Sequence, residues 1–289
     1  MPDRAVRQLR ETYYCYAIHA TQHEQDVAQV FAVLRSVGVE PILIKGWAIG
    51  RSYAEAGLRP AGDIDLYVSP SHYTTARTVL SKPEHRRYWV DLEHDQMTRF
   101  HEPLFEELYF RSELVELSGA MIRVLGAEDH LRVLCLHFLK HGAWRPLWLC
   151  DVAAALESRS SDFDWDCCLG TDQRRASWIL CTIKLAHDLL GANLGNVPVC
   201  ENNLPQWLIP SVLEQWDAPL PPNLPPALVQ IRKHLLEPTK LITDLRKRWP
   251  NPIQATMDAN GSFNGLPRLP LQLRNCCVRA MQLLKRARG

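Results

Sequence analysis

The chain predicts an α+β protein, in which a small mixed β-sheet with flanking helices precedes a helical C-terminal region. Two observations carry this. Short apolar runs suited to strands, "PILIK", "DIDLYV", "RRYWVDLEHD" and "MIRVL", alternate with helix-like segments up to about residue 125. Beyond it, almost every apolar pattern has helical spacing. The expected division is therefore a sheet-bearing core with an N-terminal helix over 1–125 and a helical domain over 126–289.

The elements follow in order. Residues 4–37 place Val27, Val30, Phe31 and Leu34 at helical spacing and stop at Gly38, which predicts the N-terminal helix. "PILIK" is a short buried strand. "WAIGRSYAEAG" reads as a helix with Gly57 as its C-terminal stop. "DIDLYV", "RRYWVDLEHD" and "MIRVL", around Val124, are the remaining strands. "AEDHLRVLCLHFLKHGAWRPLWLCDVAAALE", "RRASWILCTIKLAHDLLGA" and the last twenty residues predict amphipathic helices, and prolines near 205–226 mark a loop within this half. No solenoid-type repeat is present.

Composition removes several classes of function. A net charge of +1 argues against a chain-wide electrostatic footprint for nucleic acid, although the basic terminal run "RNCCVRAMQLLKRARG" leaves a local one open. No apolar stretch reaches membrane-spanning length, and the first twenty residues contain no continuous apolar signal region. The nine cysteines form no C-x-x-C pair, which fits reduced thiols and a cytoplasmic protein better than a disulfide framework or zinc knuckle. G-x-S-x-G, H-R-D and D-F-G are absent, so acyl-hydrolase and protein-kinase chemistry lack a basis.

The chemistry concentrates in residues 45–68. Asp63 and Asp65, two apart on a strand, project from the same face, and the repulsion between such carboxylates is relieved by a divalent cation. Hard oxygen ligands at this spacing suit Mg²⁺ or Mn²⁺. A bare D-x-D is more often a turn entering a strand with Asp65 facing solvent, because the pattern is short and common. Upstream, a strand followed by Gly46 and a helix offers backbone N–H groups to a phosphate, and Lys45 adds a positive charge there. Arg59 can pair with a phosphate or with Asp63. Downstream, Asp91, Glu93 and Asp95 share one face of the next strand and compete to supply a third carboxylate.

At "LIKGWAIGRSYAEAGLRPAGDIDLYV" the chain resembles the uncharacterised nucleotidyltransferase family of the DNA-polymerase-β-like superfamily. Members read approximately as apolar strand, Lys-Gly, helix, then G-x-R-x-x-G-D-I-D-L-x-V. Here the positions are Lys45, Gly46, Gly57, Arg59, Gly62, Asp63, Ile64, Asp65, Leu66 and Val68. The wider superfamily usually has Gly-Gly or Gly-Ser in place of Lys45-Gly46. The resemblance implies a minimal nucleotidyltransferase core with Asp63, Asp65 and Asp91 as metal-binding catalytic carboxylates, Glu93 remaining a competitor for the third. Lys45, Gly46 and Arg59 would then bind the nucleotide. A second stretch of likeness, "LCLHFLKHGAWRPLWLCDVAAAL", carries His137, Lys140, His141, Arg145, Trp148 and Asp151, and implies that Lys140 and His141 touch nucleotide or acceptor. From spacing alone, His137 and His141 are i, i+4 and can share a metal, but "HFLKH" lacks the glutamate of H-E-x-x-H hydrolases. Trp47 is a candidate to border a base.

The implied activity is Mg²⁺- or Mn²⁺-dependent transfer of a nucleoside monophosphate from an NTP, ATP by default, to a hydroxyl or amine, with pyrophosphate released. The acceptor stays open among small molecules, peptides, proteins and RNA ends. The alternatives are a catalytically silent nucleotide- or partner-binding protein of the same fold, and an RNA- or tRNA-modifying nucleotidyltransferase.

Overall fold

The computed structural model describes residues 3–55, 57–60, 62–94, 104–198, 203–217, 239–240 and 248–288. Helix α1 (Asp3–Arg35) opens the chain and ends before Gly38, which turns the backbone at φ +75°. Only its second half is buried, through Val27, Val30, Phe31 and Leu34. Next come β1 (Ile42–Leu43), the single-turn helix α2 (Trp47–Gly50), β2 (Ile64–Tyr67), α3 (Tyr73–Leu80) and β3 (Val90–Glu93). Helix α4 (Phe105–Arg111) leads into the hairpin β4 (Glu113–Leu117) and β5 (Ala120–Val124). The hairpin turns on Ser118 and Gly119, both at positive φ, as a two-residue hairpin loop demands.

The sheet order is β3-β2-β1-β5-β4, with β1/β5 and β2/β3 parallel and β1/β2 and β4/β5 antiparallel. The alternation of the strands divides the side chains cleanly. Leu43, Ile64, Leu66, Val68, Ile122 and Val124 pack with α1 and α3 on one face. Ile42, Ile44 and Tyr67 face the other way, toward Leu108, Leu125 and Val133.

The helical region comprises α5 (Ala127–Lys140), α6 (Pro146–Glu157), α7 (Trp165–Leu169), α8 (Gln173–Leu190), α9 (Leu208–Asp217), α10 (Pro252–Asp258) and α11 (Leu269–Arg288). Its boundaries have local causes: Asp172 caps α8 by accepting from the Arg174 and Arg175 amides, and Gly191 closes it in the left-handed conformation. The core here, built from Leu131, Phe138, Leu149, Leu156, Trp178 and Ile183, also takes in Ile49 from α2. That contact joins the sheet side to the helices.

Two sequence expectations change. The helix expected over 47–57 lasts one turn, since Arg51 onward forms turns and bends. Gly57 instead sits at φ +92° against α1, where a Cβ would come within 2.9 Å of the Ala17 backbone nitrogen. The strand expected over 86–95 shortens to Val90–Glu93, and Asp95 lies outside the described residues. The proline-rich stretch lies outside them from residue 218 onward.

Candidate active site

Strands β2 and β3 bring the carboxylates together. They run parallel with Asp65 opposite Asp91 and Tyr67 opposite Glu93. Because Ile64, Leu66, Val90 and Leu92 turn toward α1 and α3, Asp65, Asp91 and Glu93 must emerge on the opposite face. Asp63 stands one residue before β2. One oxygen from each of Asp63, Asp65 and Asp91 lies within 4.8 Å of the others. Asp65 is buried, whereas Asp63 and Asp91 are exposed.

Lys45 reaches into this cluster. Its Nζ lies 2.7 Å from Asp65 Oδ1 and 3.2 Å from Glu93 Oε1, and the residue is only 8% exposed. Burial opposes the ammonium charge, yet the two carboxylates outweigh it and raise the Lys45 pKa. Burial pushes Asp65 up to about 6, although Lys45 pulls the other way. Asp91 is raised too, by desolvation and then by Glu93, against Lys45 and Lys140. Gly46, at φ +63°, lies so close to the loop before β2 that a Cβ would stand 3.3 Å from the Asp63 carbonyl oxygen. Lys45 therefore meets Asp65 while Gly46 meets Asp63, and the two ends of the 45–65 segment close on each other.

The opposite wall comes from α5, α6 and the turn between them. With the carboxylates it encloses a cleft of about 560 Å³, to which Lys140, His141, Arg145, Trp148 and Asp151 all contribute. That volume falls within the ~300–1,000 Å³ common for small-molecule sites. The rings of His137 and His141 are 4.5 Å apart, and Trp148 lies 4.4 Å and 5.3 Å from them. Desolvation first, then Lys45 and Lys140, keeps both histidines neutral, with His141 near 4 and His137 well below its ordinary value.

Every nucleotide- and metal-binding candidate taken from the sequence lines this cleft: Lys45, Gly46, Arg59, Asp63, Asp65, Asp91, Lys140 and His141. The competitors Asp91 and Glu93 part company, since Asp91 joins Asp63 and Asp65 while Glu93 holds Lys45. Arg59 does not pair with Asp63. Its Nε and Nη2 grip Asp151 at 2.9 and 3.0 Å, so its charge is largely offset before any phosphate arrives. Lys45, expected as a free charge at a helix start, is held between two carboxylates, and the helix behind Gly46 has only four residues. His137 and His141 pack on Trp148, and the potential metal cluster seen among the described residues is the aspartate one. Trp47 is turned away from the cleft, with its indole N–H donating to Glu24 of α1 at 3.0 Å. The basic terminal helix α11 spends Arg274 on the Ala259 carbonyl and Arg279 on Gln254, both on the α10 side.

Sequence reasoning missed two half-buried tyrosines that contact cleft residues. Tyr53 donates to Asp151 Oδ1 at 2.8 Å, and Tyr73 meets His94 edge-on at 3.7 Å beside the carboxylates. Neither residue stands in a motif, and nothing in the local sequence marks them.

Residues 1–191 match the family described as uncharacterised nucleotidyltransferases. The chain belongs to that family. The match runs through the sheet and on to the end of α8, and so covers residues from both walls of the cleft. No curated protein matches the chain. Among solved structures, an antigenic nucleotidyltransferase-like protein from Paracoccidioides brasiliensis is similar at 12% identity and a TM-score of 0.43, over 58% of this chain and 90% of that one.

Proposed function

We propose that the protein transfers a nucleoside monophosphate from an NTP to a hydroxyl or amine acceptor, releasing pyrophosphate. The observation that carries this reading is the convergence of Asp63, Asp65 and Asp91 within 4.8 Å at a cleft that also holds Lys45, Lys140 and His141. The donor set suits a hard divalent cation: three oxygens from three side chains, with the Lys45 ammonium beside them shared between Asp65 and Glu93. Such an ion, Mg²⁺ or Mn²⁺, would be held by Asp63, Asp65 and Asp91, and supplies charge neutralisation at the reacting phosphate.

The chain's own residues account for the other steps. Asp91, exposed and with a raised pKa, is placed to accept the proton of the attacking hydroxyl. Lys45, held by Asp65 and Glu93, would supply positive charge toward the leaving pyrophosphate, where it gains most as negative charge builds. Lys140 and the neutral His141 border the nucleotide or the acceptor from the α5 side. ATP is the default donor, and a division into a core over 1–125 and a helical domain over 126–289 that closes the cleft is part of the same proposal. Location in the cytoplasm remains part of the same proposal.

Asp63→Asn tests the reading. An amide oxygen is a weaker ligand for a hard cation, while loss of the charge relieves repulsion on Asp65. Mg²⁺-dependent pyrophosphate release from labelled NTPs, assayed with cell extract as acceptor source, is expected to disappear while the metal-free melting temperature holds or rises. A variant that unfolds yet keeps normal activity per folded molecule would sink the assignment. NTP binding by the wild type without pyrophosphate release, seen in calorimetry, would favour the silent binding protein.

A further inference from the structure

We infer that Asp151 is a positioning residue that fixes the loop carrying Asp63; this rests on the reading of Asp63, Asp65 and Asp91 as a cation site. Asp65 and Asp91 are set by paired strands, but Asp63 precedes the first residue of β2 and takes its place from the chain before it. That chain, the segment joining α2 to β2, has no helix or strand among its described residues. Both of its limbs converge on one carboxylate. Tyr53 donates to Asp151 Oδ1 at 2.8 Å, and Arg59, four residues before Asp63, donates to Oδ1 and Oδ2 at 2.9 and 3.0 Å. The fork geometry fixes the guanidinium in direction as well as distance.

Asp151 itself is 1% exposed and sits on α6, one turn beyond the cleft residue Trp148. The helical wall thus holds the metal-side loop through a buried bidentate pair. This gives Arg59 a role in the cleft that does not require it to touch phosphate. It also explains why a buried carboxylate stands in a wall otherwise made of basic, aromatic and aliphatic side chains.

The test measures Mn²⁺ affinity of the nucleotide-free full chain by electron paramagnetic resonance, so no turnover is required. Asp63→Asn serves as the reference for loss of a direct ligand. Asp151→Asn should weaken Mn²⁺ binding about 10- to 100-fold, as changes to residues that orient metal ligands do. Because that variant leaves Arg59 buried without a counter-charge, the double variant Arg59→Met/Asp151→Leu accompanies it. The double variant should recover the melting temperature but not the affinity. Tyr53→Phe, which removes one of the three hydrogen bonds, should give a smaller loss at nearly unchanged melting temperature. A folded double variant and Tyr53→Phe that both bind Mn²⁺ as the wild type does would overturn the inference alone, leaving a merely structural ion pair. Wild-type protein that binds no Mn²⁺, or Asp63→Asn that binds it normally, would remove the cation site and the inference together.

Discussion

At the scale of single residues, Lys45 shows most directly how the site manages its own charge. Its ammonium lies between Asp65 and Glu93, in contact with one of the carboxylates proposed to bind metal. Lys45→Ala should therefore destabilise the metal-free protein by up to about 3 kcal/mol, less than a fully locked buried pair would cost, since Asp65 can take up a proton. A divalent cation replaces the missing positive charge, so added Mn²⁺ should raise the melting temperature of the variant more than that of the wild type. Equal shifts in the two proteins would show that the ammonium and the metal do not share a place.

At the scale of elements, the segment from α2 to β2 is shaped by contacts distant in sequence. Gly57 takes φ +92° with α1 against it, and Tyr13 of α1 donates to Glu55 at 2.6 Å on the same stretch. Gly57→Ala combines a left-handed backbone penalty of about 1–2 kcal/mol with a clash against the Ala17 backbone. We expect a loss of about 2 kcal/mol or more in urea unfolding, with the far-ultraviolet spectrum of the folded state unchanged. A loss below about 0.5 kcal/mol would mean that α1 simply shifts aside. The same contacts explain the short α2: the helical pattern of "WAIGRSYAEAG" is outweighed once Tyr53 is drawn to Asp151 and Gly57 to α1.

At the scale of the whole molecule, desolvated histidines shape the response to acid. His130 on α5 is buried, its Nε2 has no hydrogen-bond partner among the described residues, and desolvation followed by Arg51 and Arg59 lowers its pKa to about 3. The unfolded chain takes up a proton near 6.5 that the folded protein refuses, so stability falls as pH drops from about 6.5 toward 3. The full contribution is about 5 kcal/mol. His23, His137 and His141 are lowered in the same direction. Asp65 works oppositely: its folded pKa of about 6 exceeds its unfolded value, so it adds stability as pH falls from about 6 toward 4. His130→Leu should flatten the acid limb, read as the urea midpoint between pH 6.5 and 4. An unchanged slope would assign the acid sensitivity to the other histidines.

The α+β class, the N-terminal helix with its buried Val27, Val30, Phe31 and Leu34, and the helical C-terminal region were legible because burial of one face imposes its period on the sequence. Alternation likewise put Asp63 and Asp65 near one another and Asp91 and Glu93 on a common face, since strand geometry is a local property. Strand β4 was not legible, because "ELVEL" is an edge strand with exposed glutamates and only Leu117 fully buried. Nor could sequence choose between Asp91 and Glu93, which differ in the strand neighbour each stands opposite and in that Glu93 holds Lys45. The parallel register of β2 and β3 sets which carboxylate stands beside Asp65, and the tertiary fold sets the capture of Lys45 by Glu93 and of Arg59 by Asp151. Periodicity fixes which face a residue takes. Its partner across 48 or 92 positions of chain is set only when the tertiary fold brings buried charges together and leaves them no water to pair with instead.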